Sequence, residues 1–173
     1  MSFENIFKAS DMDAVKSHIA LGQFYLITAG EPDDYNIMCG STPGFNIFLH
    51  KNCFSLLVAE TRYTLEYIKS RKSYTVSFFD SEDAQVVKTM GFQSGRGTEK
   101  VKELPFETIV TPSGNIAYKN AKLVLDLKLL ALTQLTPENI MVEAEAAKFA
   151  EKKGFYSYNN LCIGEIAGAW VKA

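Results

Sequence analysis

The sequence predicts a mainly β protein, a β-barrel with short α-helices at its periphery. Seven or more segments have strand character, and about four short segments favour helix. The helices do not alternate regularly with the strands, as a doubly wound sheet would require. A chain of 173 residues is the size of one domain, and no repeat, low-complexity tract or long linker divides it. We therefore expect a single domain over residues 1–173.

Strand character runs along the chain in eight segments. Most are short apolar runs rich in β-branched and aromatic residues, and turn residues at 30–34 and 112–115 separate two pairs of them. The clearest segment has leucines alternating with other residues over 123–129, which is the period of a strand. Gly164 and Gly168 in the last segment predict bulges. The segments are residues 23–29, 35–39, 53–59, 73–79, 107–111, 116–118, 121–132 and 161–171.

Four segments favour short helices, because each combines a capping residue with apolar positions at helical spacing or with a composition rich in Ala, Glu and Lys. The expected caps are Ser10 or Asp11, then Thr61 or Thr64, then Asp80 or Ser81, and finally Thr136, which precedes Pro137. The segments are residues 10–20, 64–71, 81–91 and 138–153. Residues 40–44 are predicted to be irregular.

The composition is that of a globular protein with a core of its own. It is 47% hydrophobic and 22% charged, and at this length roughly 70% of the unfolded surface can be buried. A formal charge of −2 argues against nucleic-acid binding, because duplex binders usually carry a basic face. Residues 1–5 lack signal-peptide character, and no stretch reaches the ~18 apolar residues of a membrane helix. We expect a cytoplasmic protein without membrane partners.

The common catalytic and metal-binding motifs are absent from the sequence. His18 and His50 belong to no metal-ligand pattern, and there is no Walker loop, GxSxG or GxGxxG. Cys39, Cys53 and Cys162 lie far apart with no CxxC pair, which supports neither a disulfide framework nor a zinc site. We expect no metal, and buried free thiols in a reducing compartment.

Three segments carry residue types that suit a ligand. Arg62–Thr64 lies between a strand and a helix, where free N–H groups, a guanidinium and a hydroxyl together suit a phosphate monoester. The loop Ser94–Lys100 has two glycines that allow close backbone approach, with Arg96 and Lys100 adding positive charge. Small polar residues and Met38 in the segment 36–42 suit a flat aromatic ligand. The alternatives are an ordinary helix cap, a surface loop and a core methionine.

Taken in order, five motifs resemble those of the flavin reductase-like family, in particular its flavoredoxin-type branch. The similarity spans residues 23–171. The motifs are Asn36-Ile37-Met38-Cys39, Arg62-Tyr63-Thr64, Tyr74-Thr75-Val76-Ser77-Phe78-Phe79, Ser94-Gly95-Arg96-Gly97-Thr98-Glu99-Lys100 and Ile163-Gly164-Glu165-Ile166.

The resemblance implies a split β-barrel that binds FMN, usually as a homodimer with the flavin near the interface. It implies that Arg62 and Thr64 hold the phosphate with support from Lys100, Ser94 and Gly95. The segment 36–42 would then run along the isoalloxazine edge. The implied cofactor-binding residues are Asn36, Met38, Cys39, Gly40, Ser41, Thr42, Arg62, Tyr63, Thr64, Ser77, Phe78, Phe79, Ser94, Gly95 and Lys100.

The function implied is electron transfer from NAD(P)H or a redox protein to flavin or another acceptor. The flavin performs the redox chemistry, so no acid–base residue need be visible in the sequence. Four positions depart from the family pattern: Cys39 replaces Thr, Thr42 replaces a Trp that would form an aromatic wall, Asn52 replaces a Pro, and Glu99 replaces Asp. The alternatives are a non-catalytic FMN-binding electron carrier, and a barrel without cofactor that serves as an interaction module.

Overall fold

The computed structural model describes residues 2–20, 22–151 and 159–173, which form ten strands and five α-helices. The strands are β1 (Phe7–Ala9), β2 (Tyr25–Glu31), β3 (Asp34–Gly40), β4 (Gly44–Phe48), β5 (Lys51–Ala59), β6 (Ser73–Phe78), β7 (Thr108–Val110), β8 (Ile116–Tyr118), β9 (Leu123–Gln134) and β10 (Asn159–Lys172). The helices are α1 (Met12–Ser17), α2 (Thr64–Arg71), α3 (Ala84–Phe92), α4 (Lys100–Glu103) and α5 (Glu143–Ala150), and 3₁₀ turns cover Phe3–Asn5, Ser81–Asp83 and Pro137–Asn139. The mainly β class with short helices is confirmed.

One antiparallel sheet of eight strands organises the molecule. Its order is β3–β2–β6–β9–β10–β5–β4, and β1 pairs with the far end of β10. The strands β7 and β8 form a separate hairpin. The register between β9 and β10 shifts between Ile163 and Gly164 and again between Ile166 and Gly168. These irregularities confirm the two predicted bulges, which let one long strand pair with β9, β5 and β1 in turn.

The core lies on both faces of the sheet, in two clusters of buried side chains. The alternating leucines of β9, Leu123, Leu125 and Leu127, belong to one cluster, and Val124 belongs to the other. The period of two in the sequence therefore arises because successive side chains of β9 point to opposite faces of the sheet. Burial on both faces also explains why the strands are continuous apolar runs rather than apolar residues alternating with polar ones.

Several predicted helix boundaries need correction. Asp11 caps α1, since its Oδ1 accepts hydrogen bonds from two backbone N–H groups, at 3.0 and 2.8 Å. The threonine caps expected for α2 are wrong, because Tyr63 is the N-cap residue and Thr64 is the first helical residue. The single helix expected over 138–153 is also wrong: a 3₁₀ turn ends near residue 139 and α5 begins at Glu143. Residues 152 and 153 of that expected helix lie outside the described residues.

None of the helices in the described ranges is long and apolar enough to cross a membrane. The helices α1 to α4 pack against strands, and α3 approaches β3 closely at Gly91. A β-carbon added at Gly91 would lie 1.9 Å from Cβ of Cys39 on β3. This contact brings the end of α3 and the loop that follows it beside β3.

We expect Gly91→Ala to lower the free energy of unfolding by at least about 1 kcal/mol, because a methyl group there overpacks the α3–β3 contact. Urea denaturation followed by circular dichroism measures this change. Gly44→Ala is the matched control, since a β-carbon at Gly44 would meet nothing closer than Ser55 O at 3.6 Å. Equal stability of the two variants would contradict the close α3–β3 packing.

Candidate functional site

Three adjoining cavities open around the N-terminus of α2. The Arg62 cavity (about 180 Å³) lies between β3, the start of α2 and the loop after α3. The Cys39 cavity (about 460 Å³) lies beside the end of β3 and shares Met38, Arg62 and Phe92 with the Arg62 cavity. The Tyr67 cavity (about 640 Å³) lies among α2, the β2–β3 turn and the start of α4, and it shares Asn36, Tyr63, Gly95 and Lys100 with the Arg62 cavity.

The structure brings most of the predicted site residues to the first two cavities. Those lining the Arg62 cavity are Asn36, Met38, Arg62, Tyr63, Thr64, Ser94, Gly95 and Lys100. Those lining the Cys39 cavity are Met38, Cys39, Gly40, Ser41, Thr42 and Arg62. The three sequence segments singled out for ligand chemistry therefore converge on one place.

Arg62 connects the end of β5 to the start of α2. Its backbone N–H donates to Ala59 O at 3.0 Å. Its guanidinium stands 5.8 Å from the ring centroid of Phe92, and Nη1 lies 3.5 Å from Phe92 O. Within the described ranges no carboxylate forms an ion pair with Arg62. None of the described carboxylates therefore neutralises its positive charge.

Lys100 brings a second positive charge to the same cavity. The side chain is buried, and Nζ donates to Ile37 O at 2.6 Å and Gln93 O at 2.8 Å, with Met90 O at 3.5 Å. Burial and the neighbouring Arg62 lower the pKa of Lys100 to about 8. A buried ammonium group surrounded only by carbonyl dipoles favours an anion nearby, because an anion would offset both charges.

Neutral donors complete the Arg62 cavity. Asn36 and Thr64 are buried, and Asn36 Nδ2 donates to Thr64 Oγ1 at 2.8 Å, which leaves the Thr64 hydroxyl proton free for another acceptor. Among the described residues, the backbone N–H groups of Tyr63 and Thr64 find no protein acceptor. Unpaired N–H groups at the start of a helix bind anions. The cavity is thus built for a small, multiply charged anion.

The Cys39 cavity has a different, less polar character. Burial raises the pKa of the Cys39 thiol to about 11, so it stays neutral at physiological pH. Gly40 packs against the ring of Tyr25, where a β-carbon would lie 2.3 Å from Cε2. The Tyr25 hydroxyl is buried without a hydrogen bond of ordinary geometry, and burial raises its pKa to about 12. Neither Cys39 nor the neighbouring Tyr25 therefore carries a negative charge at physiological pH.

Two aromatic residues that the motifs did not indicate, Phe24 and Phe92, line the Cys39 cavity. Their ring centroids are 6.3 Å apart with the planes at 72°, and 46% of Phe92 is exposed. They supply an aromatic surface where Thr42 replaces the expected Trp. No local pattern separates them from the other phenylalanines, although Phe92 lies two positions before the Ser94 motif.

The sequence of this chain matches no family model and no curated protein, but its structure resembles solved ones. An FMN-binding domain of a flavin reductase-like enzyme from Shewanella baltica has a TM-score of 0.69 at 16% identity, over 95% of this chain and 76% of that one. A flavoredoxin from Methanosarcina acetivorans has a TM-score of 0.66 at 18% identity, over 86% and 68%. The flavoredoxin of Desulfovibrio vulgaris (Miyazaki F) has a TM-score of 0.66 at 16% identity, over 95% and 76%.

The chain has the flavin reductase-like fold. The resemblance indicated by the five sequence motifs is thereby confirmed at the level of the fold. The motifs Arg62–Thr64 and Ser94–Lys100 both line the Arg62 cavity, although 30 residues separate Thr64 from Ser94 in the sequence.

Three predicted site residues, Ser77, Phe78 and Phe79, line neither the Arg62 cavity nor the Cys39 cavity. All three are buried, and β2 separates β6 from β3 in the sheet. Phe78 packs beside Tyr25 in the core, with ring centroids 5.1 Å apart, and Phe79 stacks on Phe106. The part of these three side chains in cofactor binding therefore stays a prediction.

Arg96 also lies apart from the Arg62 cavity. It forms an ion pair with Glu66, and its guanidinium stands 4.7 Å from the ring centroid of Tyr63. The positive charge that the sequence placed in this loop is therefore neutralised at Arg96 and retained at Lys100. The loop contributes its backbone at Ser94 and Gly95 rather than a second guanidinium.

We expect Gly95→Ala to weaken binding of inorganic phosphate or a phosphate monoester about fivefold, the loss of roughly one hydrogen bond. A β-carbon there would lie 2.0 Å from Asn36 Oδ1, so Asn36 must move and release Thr64. Isothermal titration calorimetry measures the affinity. Gly44→Ala is again the control and should bind as the wild type does. Unchanged affinity of Gly95→Ala would show that the Asn36–Thr64 bond plays no part.

Proposed function

We propose that the protein is an FMN-binding flavoprotein of the flavin reductase or flavoredoxin type, with its sheet closed as a split β-barrel. The observation that carries the proposal is the pair of positive charges at Arg62 and Lys100, which face one cavity and form no ion pair with a carboxylate in the described part of the chain. That cavity continues into the less polar Cys39 cavity through Met38 and Phe92. The FMN-binding proteins with this fold from Shewanella and Thermus thermophilus support the same assignment.

The residues of the Arg62 cavity fit the phosphate of FMN. Arg62 can donate charge-assisted hydrogen bonds, and Thr64 adds its hydroxyl and backbone N–H. Lys100 contributes its charge rather than direct hydrogen bonds, since its Nζ already faces three carbonyl groups. Together these groups offset the two negative charges of a phosphate monoester. Basic residues that already form ion pairs at the surface would not do so.

The residues of the Cys39 cavity fit the isoalloxazine ring. Phe24 and Phe92 offer apolar surface, and residues 39–42 offer backbone groups along one edge. A neutral Cys39 thiol places no negative charge beside the ring, and Arg62 and Lys88 line the same cavity with positive charge. When bound, FMN supplies reversible electron and hydride transfer, and nearby positive charge favours its anionic reduced form.

We propose that electrons come from NAD(P)H or a redox protein and pass to free flavin or another acceptor. Electron transfer by a flavin needs positioning and electrostatic tuning, which the two cavities supply, and no catalytic triad or metal. The aromatic surface of Phe24 and Phe92 favours this reductase over a carrier, because it replaces the wall that Thr42 lacks.

The test is direct. Purified protein incubated with FMN and passed through a desalting column should retain yellow colour and a flavin absorption spectrum. It should then oxidise NADH or NADPH, faster when free flavin is added. Retained FMN without NAD(P)H oxidation would instead identify an electron carrier. Colourless protein that also fails to quench FMN fluorescence would exclude FMN binding and leave the interaction module.

We also propose a homodimer that works in the cytoplasm. Ile47 and Leu49 are exposed at 75% and 66% at the turn from β4, which is an edge strand of the sheet. Exposed apolar side chains on an edge strand favour pairing with another chain. Sedimentation velocity should give a species of twice 19.3 kDa, and Ile47→Lys should shift it toward the monomer.

The three cysteines are free and buried, which suits a reducing compartment such as the cytoplasm.

A further inference from the structure

The Tyr67 cavity is the largest of the three that open around the start of α2, and the proposed FMN site uses the other two. It measures about 640 Å³, within the range of about 300–1,000 Å³ that small-molecule sites occupy. Four of its lining residues, Asp33, Asp34, Tyr35 and Tyr67, line neither the Arg62 cavity nor the Cys39 cavity. These four give the Tyr67 cavity a chemistry of its own, with aromatic rings beside carboxylates.

Three tyrosine rings line the Tyr67 cavity. Tyr63 and Tyr67 lie one turn apart at the start of α2, with ring centroids 5.2 Å apart and planes at 79°, and Tyr35 comes from β3. The face of an aromatic ring is electron-rich and attracts cations. Several rings set at different angles around one space are the arrangement that surrounds a cation with such faces. The rings therefore favour a positively charged ligand.

The protein already holds one cation against this group of tyrosines. The Arg96 guanidinium stands 4.7 Å from the ring centroid of Tyr63. Arg96 does not line the Tyr67 cavity, so its guanidinium does not fill that space. Among the residues that the structure describes, no cation stands over the ring of Tyr35 or Tyr67. These two rings are therefore available to a cation that enters from solution.

Two aspartates of the β2–β3 turn give the same cavity negative charge. Asp33 and Asp34 line it, and no ion pair of the described residues includes either. The Tyr67 hydroxyl donates to Asp34 Oδ1 at 2.7 Å, which holds this carboxylate beside the ring. Burial and the hydrogen bond to Asp34 raise the pKa of Tyr67, so the hydroxyl remains a donor. Aromatic rings and a charged carboxylate thus act on the same ligand.

The two lysines that line the cavity do not cancel this negative charge. Lys102 pairs with Glu99, which also lines the cavity. Lys100 is buried, and its ammonium group donates to backbone carbonyl groups. Asp33 and Asp34 are exposed, so a cation that enters from solution meets their carboxylates rather than the ammonium group. The cavity is therefore suited to a cation despite its basic residues.

We propose that the Tyr67 cavity binds a small molecule that carries a quaternary ammonium group, for which choline is the probe. Such a group donates no hydrogen bond, so ring faces and carboxylates hold it through its charge. A primary ammonium group suits the cavity less, because it is strongly hydrated and needs acceptors for three donors, one of which, Asp34 Oδ1, Tyr67 already uses. This site is independent of FMN, since Asp33, Asp34, Tyr35 and Tyr67 line neither cavity assigned to the flavin.

The first test asks whether charge holds the ligand. Isothermal titration calorimetry compares choline with the uncharged alcohol in which a tert-butyl group replaces the trimethylammonium group, at an ionic strength kept constant with sodium chloride. We expect choline to bind at least about tenfold more tightly than this alcohol, and more tightly than ethanolamine, a primary ammonium compound. Choline binding no tighter than that of the alcohol or of ethanolamine would overturn the proposal.

The same titration on FMN-loaded protein separates this site from the flavin site. Choline affinity should differ by less than about threefold between flavin-free and FMN-loaded protein, because the two sites have separate walls. Loss of choline binding once FMN is bound would place choline in the flavin site and overturn the proposal. Failure of FMN to bind would contradict the proposed flavoprotein function only, and the titration of flavin-free protein would then decide on choline.

Variants at the cavity wall locate the cation. Asp34→Asn keeps an oxygen acceptor for Tyr67 and removes one charge, and it should weaken choline binding about fivefold. Tyr67→Leu removes the ring and should weaken it at least about fivefold, whereas Tyr67→Phe keeps the ring and most of the affinity. The control is Asp13→Asn, which removes the same charge from an exposed position on α1 and should change nothing. Choline affinity unchanged in either Asp34→Asn or Tyr67→Leu would show that the cation does not lie here.

Discussion

We expect Arg62→Ala to weaken FMN binding about 30-fold, because a charge-assisted contact to phosphate contributes about 2 kcal/mol. The Arg62 guanidinium lines the Arg62 cavity and pairs with none of the carboxylates that the structure describes, so its charge is available to a ligand. Removing it also relieves the repulsion that lowers the pKa of Lys100, which returns a small part of the loss. Fluorescence quenching of FMN on titration with protein gives the dissociation constant.

Riboflavin separates the phosphate contribution from that of the ring. It lacks the phosphate, so Arg62→Ala should change its affinity by less than about threefold, whereas the FMN affinity falls by the full amount. The control variant is Arg71→Ala. Arg71 ends the same helix and pairs with Glu31, about 12 Å of helix away from the cavity by the rise per residue. At that distance and ordinary salt its charge is largely screened, so FMN binding should not change.

An equal loss of FMN and riboflavin affinity in Arg62→Ala would show that the residue shapes the Cys39 cavity and holds no phosphate. That result is physically reasonable, since Arg62 also contacts the ring of Phe92. The comparison therefore distinguishes an electrostatic role from a packing role, which stability measurements on the variant alone would not do.

The sequence predicts a strand where the pattern of neighbouring residues alone indicates it. The strand β9 was predicted because its alternation is a property of adjacent residues, and the burial of its side chains on both sheet faces follows from that alternation. The strand β1 was missed because it is three residues long and pairs with Trp170–Lys172 at the other end of the chain. The strand β4 was missed because it is an edge strand whose Ile47 is exposed, so it shows no burial pattern.

The same rule holds for the site. Arg62 and Thr64 were predicted because a guanidinium, a hydroxyl and a helix start lie within three residues. Phe24 and Phe92 were missed because the chain has 12 phenylalanines, and only the fold selects the two that line a cavity. Lys100 was expected beside a phosphate, but the sequence could not show that carbonyl groups of β3 and the loop after α3 would surround its ammonium group.

The burial of Lys100 gives the second prediction, a loss of FMN affinity as pH rises through about 8. Burial and Arg62 lower the pKa of Lys100 from 10.5 to about 8 in the protein without ligand. A bound phosphate dianion favours the charged ammonium and so raises this pKa, and binding then takes up a proton above pH 8. By linkage the affinity falls, by up to about tenfold per pH unit, until the pKa of the complex is reached.

Lys100→Met is the variant that checks the assignment. It keeps the length of the side chain and removes its charge, so FMN affinity at pH 7 should fall about tenfold and the decline above pH 8 should disappear. Riboflavin binding of the wild type should show no such decline. A decline that persists in Lys100→Met would assign the titration to another group in or near the site.

Stability should change with pH in the opposite direction, which separates this effect from alkaline unfolding. Because the folded pKa of Lys100 lies below its unfolded value, the unfolded state binds more protons above pH 8, and the stability of the ligand-free protein rises with pH. This rise in stability ends near pH 9. Burial raises the pKa of Cys39 to about 11 and that of Tyr25 to about 12, so above pH 9 these groups lose protons more readily in the unfolded state, which lowers the stability of the folded protein. Between pH 8 and 9 the protein should therefore become more stable to urea while it binds FMN less tightly. Parallel losses of stability and affinity would place the cause in unfolding rather than in Lys100.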